Sequence, residues 1–290
     1  MYDRVLAINP RSRVTPSFRS VNSILHRKRQ ACFPPTPATI DDVIIDGEWS
    51  RTWNDRAFLC KLDNAWGVAI FLSAEDARVL LRCTTIYIDG TFRTAPHPYQ
   101  QMVTVHGLYM EAVVPLSYAP STGKSVGQYR QIISGLRTSI RRHTGHHWPQ
   151  PNLIICDFEI SLITAVETEL PFARIHCCYF HYNQSLWRRF SATGLVRAYR
   201  GLRRNDRRLR TCVQKIMALG FLPTVVVRQS FLTYITSRRV VRLQRAYPRL
   251  TDFLHYVNRV YIHRTATFKP PMWNVYDRTI DTRTNNHVEW

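Results

Sequence analysis

Acid is scarce in this sequence: 20 Asp+Glu stand against 40 Lys+Arg, a net charge of +20. That imbalance excludes a charge-neutral surface and calls for a polyanionic partner, with nucleic acid the first candidate. Long apolar runs are missing as well. None approaches the roughly 18 residues of a membrane span, so no membrane partner is expected. The opening Met1-Tyr2-Asp3-Arg4 lacks the charged-then-apolar pattern of a secretion signal. Seven cysteines, an odd number without a regular framework, exclude a disulfide-stapled secreted scaffold and fit a reducing compartment. Together with the charge, this points to the nucleus or cytoplasm. No period of about 20 to 50 residues repeats, which sets solenoids aside.

What is present is a folded chain. Its hydrophobic content is 45%, and 7 Trp and 14 Tyr are spread among apolar runs rather than gathered in a basic tail. Residues 84–92 form a β-branched and aromatic run that delivers Asp89, followed by Gly90, to the end of a buried strand. A second apolar run, 152–157, ends in Asp157, and the closing stretch 284–289 ends in Glu289. Three carboxylates from three distant segments suggest a metal site. Taken singly, each has a plainer reading: Asp89 as a turn residue, Asp157 as a helix N-cap, Glu289 as a solvated terminal acid.

The pattern divides the chain into five parts. Residues 1–40 are a basic, poorly ordered arm rich in Ser and Pro. Residues 41–83 are a small hairpin-and-helix prefix, with strands expected at 43–45, 56–60 and 66–71 and a helix opened by Ser73 and Asp76. Residues 84–186 then read βββαβαβ. Strands at 99–107 and 112–118 follow the first, Ser125 and Gln128 cap a helix, and a helix carrying Leu162, Ile163, Val166 and Leu170 separates the strand ending at Asp157 from one at 174–178. Residues 187–262 show only helical spacing, and from Arg188 to Arg249 there are 16 Lys+Arg and one acid, Asp206, or +15. Residues 263–290 return the chain towards the first sheet. In a βββαβαβ sheet whose first and fourth strands are neighbours, Asp89 and Asp157 face one another.

Several landmarks carry a family resemblance: Asp89-Gly90-Thr91-Phe92, Pro115-Leu116-Ser117-Tyr118, Asp157-Phe158-Glu159, Cys178-Tyr179-Phe180-His181, Trp273-Asn274-Val275-Tyr276-Asp277-Arg278 and Thr284-Asn285-Asn286-His287-Val288-Glu289. In this order they resemble the transposase domain of Mutator-like elements (MULE), of the kind found with FLYWCH-type zinc fingers, over roughly residues 41–290. The resemblance implies an α/β, RNase H-like core interrupted by a helical insertion, with DDE chemistry at Asp89, Asp157 and Glu289. It implies Mg²⁺ or Mn²⁺ in a two-metal site, Asp89 bridging the ions, Asp157 holding one and Glu289 the other, to cut and rejoin double-stranded DNA at transposon ends and targets. A homo-oligomer acting in the nucleus is expected.

Cys178 and His181 match the family's Cys-x-x-His and read either as half of a structural Zn²⁺ site or as packing; His176 and Cys177 could assist, and His143, His146 and His147 read as a loop. Arg188, Arg189, Arg203, Arg204, Arg207, Arg208, Arg238, Arg239 and Arg242 are the expected DNA contacts. No Cys₂His₂ finger spacing is present, and Trp290 directly follows Glu289. A transposase-derived DNA-binding protein or truncated copy without catalysis is therefore the first alternative, and a metal-dependent nuclease the second.

Overall fold

The computed structural model describes residues 17–31 and 33–283. Seven strands make one mixed sheet: β1 (Leu59–Asp63), β2 (Val68–Phe71), β3 (Thr85–Thr91), β4 (Gln101–Tyr109), β5 (Ala112–Ser121), β6 (Leu153–Cys156) and β7 (Arg174–Cys177). Their spatial order is β1-β2-β5-β4-β3-β6-β7. The four pairings from β1 to β3 are antiparallel, and β3, β6 and β7 run parallel. Twelve α-helices are described: α1 (Phe18–Gln30), α2 (Ala74–Leu80), α3 (Val126–Thr144), α4 (Ile160–Glu169), α5 (Tyr179–Ala192), α6 (Val196–Arg200), α7 (Arg204–Met217), α8 (Thr224–Thr236), α9 (Arg238–Ala246), α10 (Arg249–Val257), α11 (Pro270–Trp273) and α12 (Ile280–Arg283). From β3 onward the order is βββαβαβ.

The central strand explains the layering. Thr85 through Asp89 are all buried, the unbroken run of a strand covered on both faces rather than the alternation of a half-exposed one. Ile86, Ile88, Ile154 and Cys156 join the main core with Leu136 of α3, Val166 of α4 and Leu186 of α5, whereas Tyr87, Leu153 and Ile155 form a smaller cluster apart from it. Between β4 and β5, Met110 and Glu111 take φ of +47° and +63°. Positive φ at both central residues is the turn whose twist matches that of the flanking strands. The capping box of α3 forms as its sequence requires: Ser125 Oγ accepts from Gln128 N at 3.2 Å, and Gln128 Oε1 accepts from Ser125 N at 3.1 Å.

Two local expectations change. Residues 43–45 form no strand; Val43 is buried against Ala69 and Tyr99, so its hydrophobicity serves packing rather than a ladder. Part of the stretch read as a poorly ordered arm is helix α1, whose N-cap Ser17 accepts from Ser20 N at 3.3 Å and whose last turn carries Arg27, Lys28 and Arg29, charges favoured at a helix C-terminus.

Beyond β7 the described residues contain helices and no strand. The buried faces of α7 (Leu209, Cys212, Val213, Ile216) and α10 (Leu250, Phe253, Leu254, Val257) belong to the same continuous core as the sheet. Asp206 anchors α7, its Oδ1 accepting from Tyr247 Oη at 2.6 Å and its Oδ2 from Arg203 N at 3.2 Å. Asp206, the one acid between Arg188 and Arg249, is consumed inside the fold. The return segment is held by aromatic rings: Trp273 stacks on Tyr182 at 4.5 Å and 5°, and Phe268 meets Phe158 edge-on at 4.9 Å. The buried Arg278 donates to the carbonyls of Cys177 (2.9 Å) and Met272 (2.7 Å), tying the segment to the end of β7.

Candidate active site

Register builds the site. In the parallel β3–β6 pair Ile88 lies opposite Cys156, so Asp89 and Asp157 are the next residues out on adjacent strands. Carboxyl ends of parallel strands are where open α/β sheets place their ligands. Asp89-Gly90 is not a turn: both residues lie within β3 and pair with Thr104 and Val103. Nor is Asp157 an N-cap, since α4 begins after Glu159. Phe158, between the two acids, faces inward against Tyr261 and Phe268, which fixes the backbone that carries Asp157.

The third member comes from the next strand. β7 is parallel to β6, and Cys178 N donates to Cys156 O at 2.9 Å, so α5 starts beside Asp157. His181 sits in the first turn of α5, with Nδ1 2.5 Å from Asp157 Oδ1. Ligand atoms of Asp89, Asp157 and His181 all lie within 4.8 Å of one another, a group that could hold a metal ion. Asp89 is 2% exposed. Burial opposes charge on the His181 imidazole, but hydrogen bonds to Asp157 and Cys178, with the Asp157 carboxylate beside the ring, outweigh it and push its pKa up to about 11. His181 thus closes on Asp157 as a cation, or gives up that proton to serve as a ligand. Cys178 is fully buried and is not in the cluster.

Around the trio, Glu159, Gln184 and Arg188 join Asp157 and His181 in lining a cleft of about 280 Å³. Lys124 Nζ is 3.1 Å from Glu159 Oε2 and 3.9 Å above the centre of the Phe92 ring. Of the arginines expected to contact DNA, Arg188, Arg189, Arg203, Arg204, Arg207, Arg238, Arg239 and Arg242 are exposed and Arg208 is half-buried. Glu289 lies outside the described residues. His143 is in the last turn of α3, with Nε2 3.3 Å from Cys60 Sγ, whereas His146 and His147 follow in a loop. The Cys-x-x-His spacing of Cys178 and His181 admits either half of a zinc site or packing. The signal that places His181 with the acids is its position four residues beyond Cys177, the end of the strand parallel to the one that leads into Asp157.

His176, on β7, has its pKa pushed down to about 4 by burial and by the nearby Arg278 and Arg174. An unfolded histidine titrates near 6.5. Between about 6.5 and 4 the unfolded chain therefore binds the extra proton, so this residue's contribution to stability is complete above about 6.5 and is lost as pH falls towards 4. Urea midpoints measured from pH 7 to 4 should fall in the parent and flatten in His176→Gln.

The fold and site define an α/β domain that presents two aspartates and a histidine at the ends of parallel strands, beside a basic helical layer. Residues 85–185 match the family model of the MULE transposase domain, and over that stretch the chain carries a MULE transposase domain. The match runs from the start of β3 into α5 and encloses Asp89, Asp157 and His181. No curated protein and no solved structure matches the chain. No helix among the described residues is long and apolar enough to cross a membrane.

Proposed function

We propose that this chain is a Mutator-like DNA transposase whose RNase H-like core cleaves and joins DNA strands through Asp89, Asp157 and Glu289. The observation that carries the reading is the Asp89–Asp157–His181 cluster, lying inside the matched transposase domain. The order β5-β4-β3-β6-β7, with the last two strands parallel to β3, supports the core assignment.

The donor set fits a divalent cation. Two carboxylates suit Mg²⁺ or Mn²⁺, and the imidazole of His181 adds a ligand that transition metals accept more readily than Mg²⁺ does. Such a cation, when bound, supplies a water acidic enough to react near neutral pH and positive charge at the phosphorus. Asp89, buried in β3, sets the depth of the site, and Asp157 is the less buried of the two carboxylates. His181 holds the proton between Asp157 and the cleft. The exposed arginines of the insertion hold the phosphates of double-stranded DNA, with affinity falling steeply as salt rises. We place the activity in the nucleus, in a homo-oligomer that brings two DNA ends together.

The test is DNA nicking and strand transfer by the full chain in Mg²⁺ or Mn²⁺, against EDTA, with binding followed at two salt concentrations. Metal-dependent products support the reading. Salt-sensitive binding with no product in either metal would replace it by a DNA-binding protein without chemistry, and cleavage without strand transfer by a nuclease.

A further inference from the structure

Helix α5 leaves the site with a polar face. His181, Gln184, Ser185 and Arg188 recur at the i, i+3, i+4, i+7 spacing of one side of a helix, and all four line the cleft that contains Asp157. Arg188 is seven residues beyond His181, about 10 Å along the axis. A single DNA strand advances about 3.4 Å per phosphate, so Arg188 stands about three nucleotides from the reaction centre. Its neighbour Arg189 lies 5.3 Å from the centre of the Tyr256 ring, in a second cleft of about 510 Å³ shared with Asp252, His255, Asn258 and Arg259. Ser185 joins the two clefts, its hydroxyl 3.1 Å from Tyr256 Oη and 2.8 Å from Tyr261 Oη.

On the opposite flank stands Lys124, in the connection between β5 and α3. It is tied to Glu159, two residues after Asp157, and rests on Phe92, three residues after Asp89. An ammonium has three donors, and the single bond to Glu159 leaves others for a ligand. Phe92 is 52% exposed, so the ring and the ammonium above it form part of the open surface.

We propose that Lys124 and Arg188 bracket the reaction centre and hold backbone phosphates of the cleaved strand on its two sides, so that the strand crosses the sheet end from Phe92 and Lys124, over Asp89 and Asp157, along α5 towards Arg189 and Arg259. This rests on the DNA-cleaving reading of the same site. Both residues are positioning residues. Two cations flanking the carboxylates keep a polyanion from being repelled by the acids it must approach, and two fixed points on one strand set which phosphate lies over the site.

The experiment uses the full chain and the variants Lys124→Ala, Arg188→Ala, Lys124→Arg and Arg188→Lys. Both positions are exposed, so unchanged thermal midpoints are expected and are checked first. Binding to a duplex in EDTA is followed across a salt series; each alanine should lower the salt slope by about 1 and the conservative variant should restore it. Cleavage is then mapped on strands carrying single methylphosphonates on either side of the cut. The parent should lose rate on both sides, Arg188→Ala should become indifferent on one side only, and Lys124→Ala on the other. Slopes equal to the parent's, or both alanines becoming indifferent on the same side, would overturn the track. If slopes fall but no variant or parent cleaves, the surface stands and the catalytic reading fails; if cleavage proceeds with unchanged slopes, the reverse holds.

Discussion

Asp89→Asn and Asp157→Asn are each expected to lower metal-dependent DNA cleavage by about a thousandfold or more, equivalent to about 4 kcal/mol at the transition state, with DNA binding in EDTA unchanged. Both positions are held by parallel register rather than by loop chemistry: β3 and β6 are paired up to Ile88 and Cys156, immediately before the two acids. Asparagine keeps the shape and removes the charge, so the loss would report electrostatics rather than repacking. Asp89 is 2% exposed and shares its neighbourhood with a second carboxylate. Removing one of two like charges relieves repulsion, so the metal-free thermal midpoint of Asp89→Asn should stay level or rise. Asp157→Asn additionally deprives His181 of the carboxylate 2.5 Å from its Nδ1, so the ring's pKa, followed by NMR, should drop. Cleavage that persists in both variants would remove these residues from the chemistry.

Trp273→Ala should destabilise the protein by about 3–5 kcal/mol, the usual range for emptying a buried aromatic site. The indole is 0% exposed, stacks on Tyr182 and donates from Nε1 to Phe268 O at 3.1 Å. Tyr182 is in α5, one residue after His181, and Phe268 packs on Phe158, one residue after Asp157. The cavity would open beneath both halves of the site and loosen the return segment that Arg278 ties to Cys177. Urea unfolding measures the loss, and limited proteolysis should show new cuts within residues 263–283. A change below about 1 kcal/mol would contradict the packing described for this segment.

Much of this architecture was legible because its signals are local. The apolar run before Asp89 has no competing helical period, Ser125 and Gln128 close a capping box through contacts three residues apart, and the spacing of Leu209, Cys212, Val213 and Ile216 is that of one helix face. Residues 43–45 misled because a short β-branched run buries equally well without a partner strand, as Val43 does against Tyr99. Lys124 gave no sign of a role. Its neighbours, Phe92 and Glu159, are distant in sequence, and nothing local marks a lysine in a turn as flanking a site.

By itself, then, the sequence determined the order of strands and helices, the two aspartates at strand ends and the basic character of residues 187–262, since hydrophobic period, caps and composition act over a few residues. The tertiary structure alone decided that His181 joins Asp89 and Asp157 and that Lys124 and Arg188 flank them. It also decided that Asp206 is spent on Tyr247 and the start of α7. Those outcomes depend on parallel register and on how α5 leaves β7, contacts between segments far apart in the chain that no short-range pattern encodes.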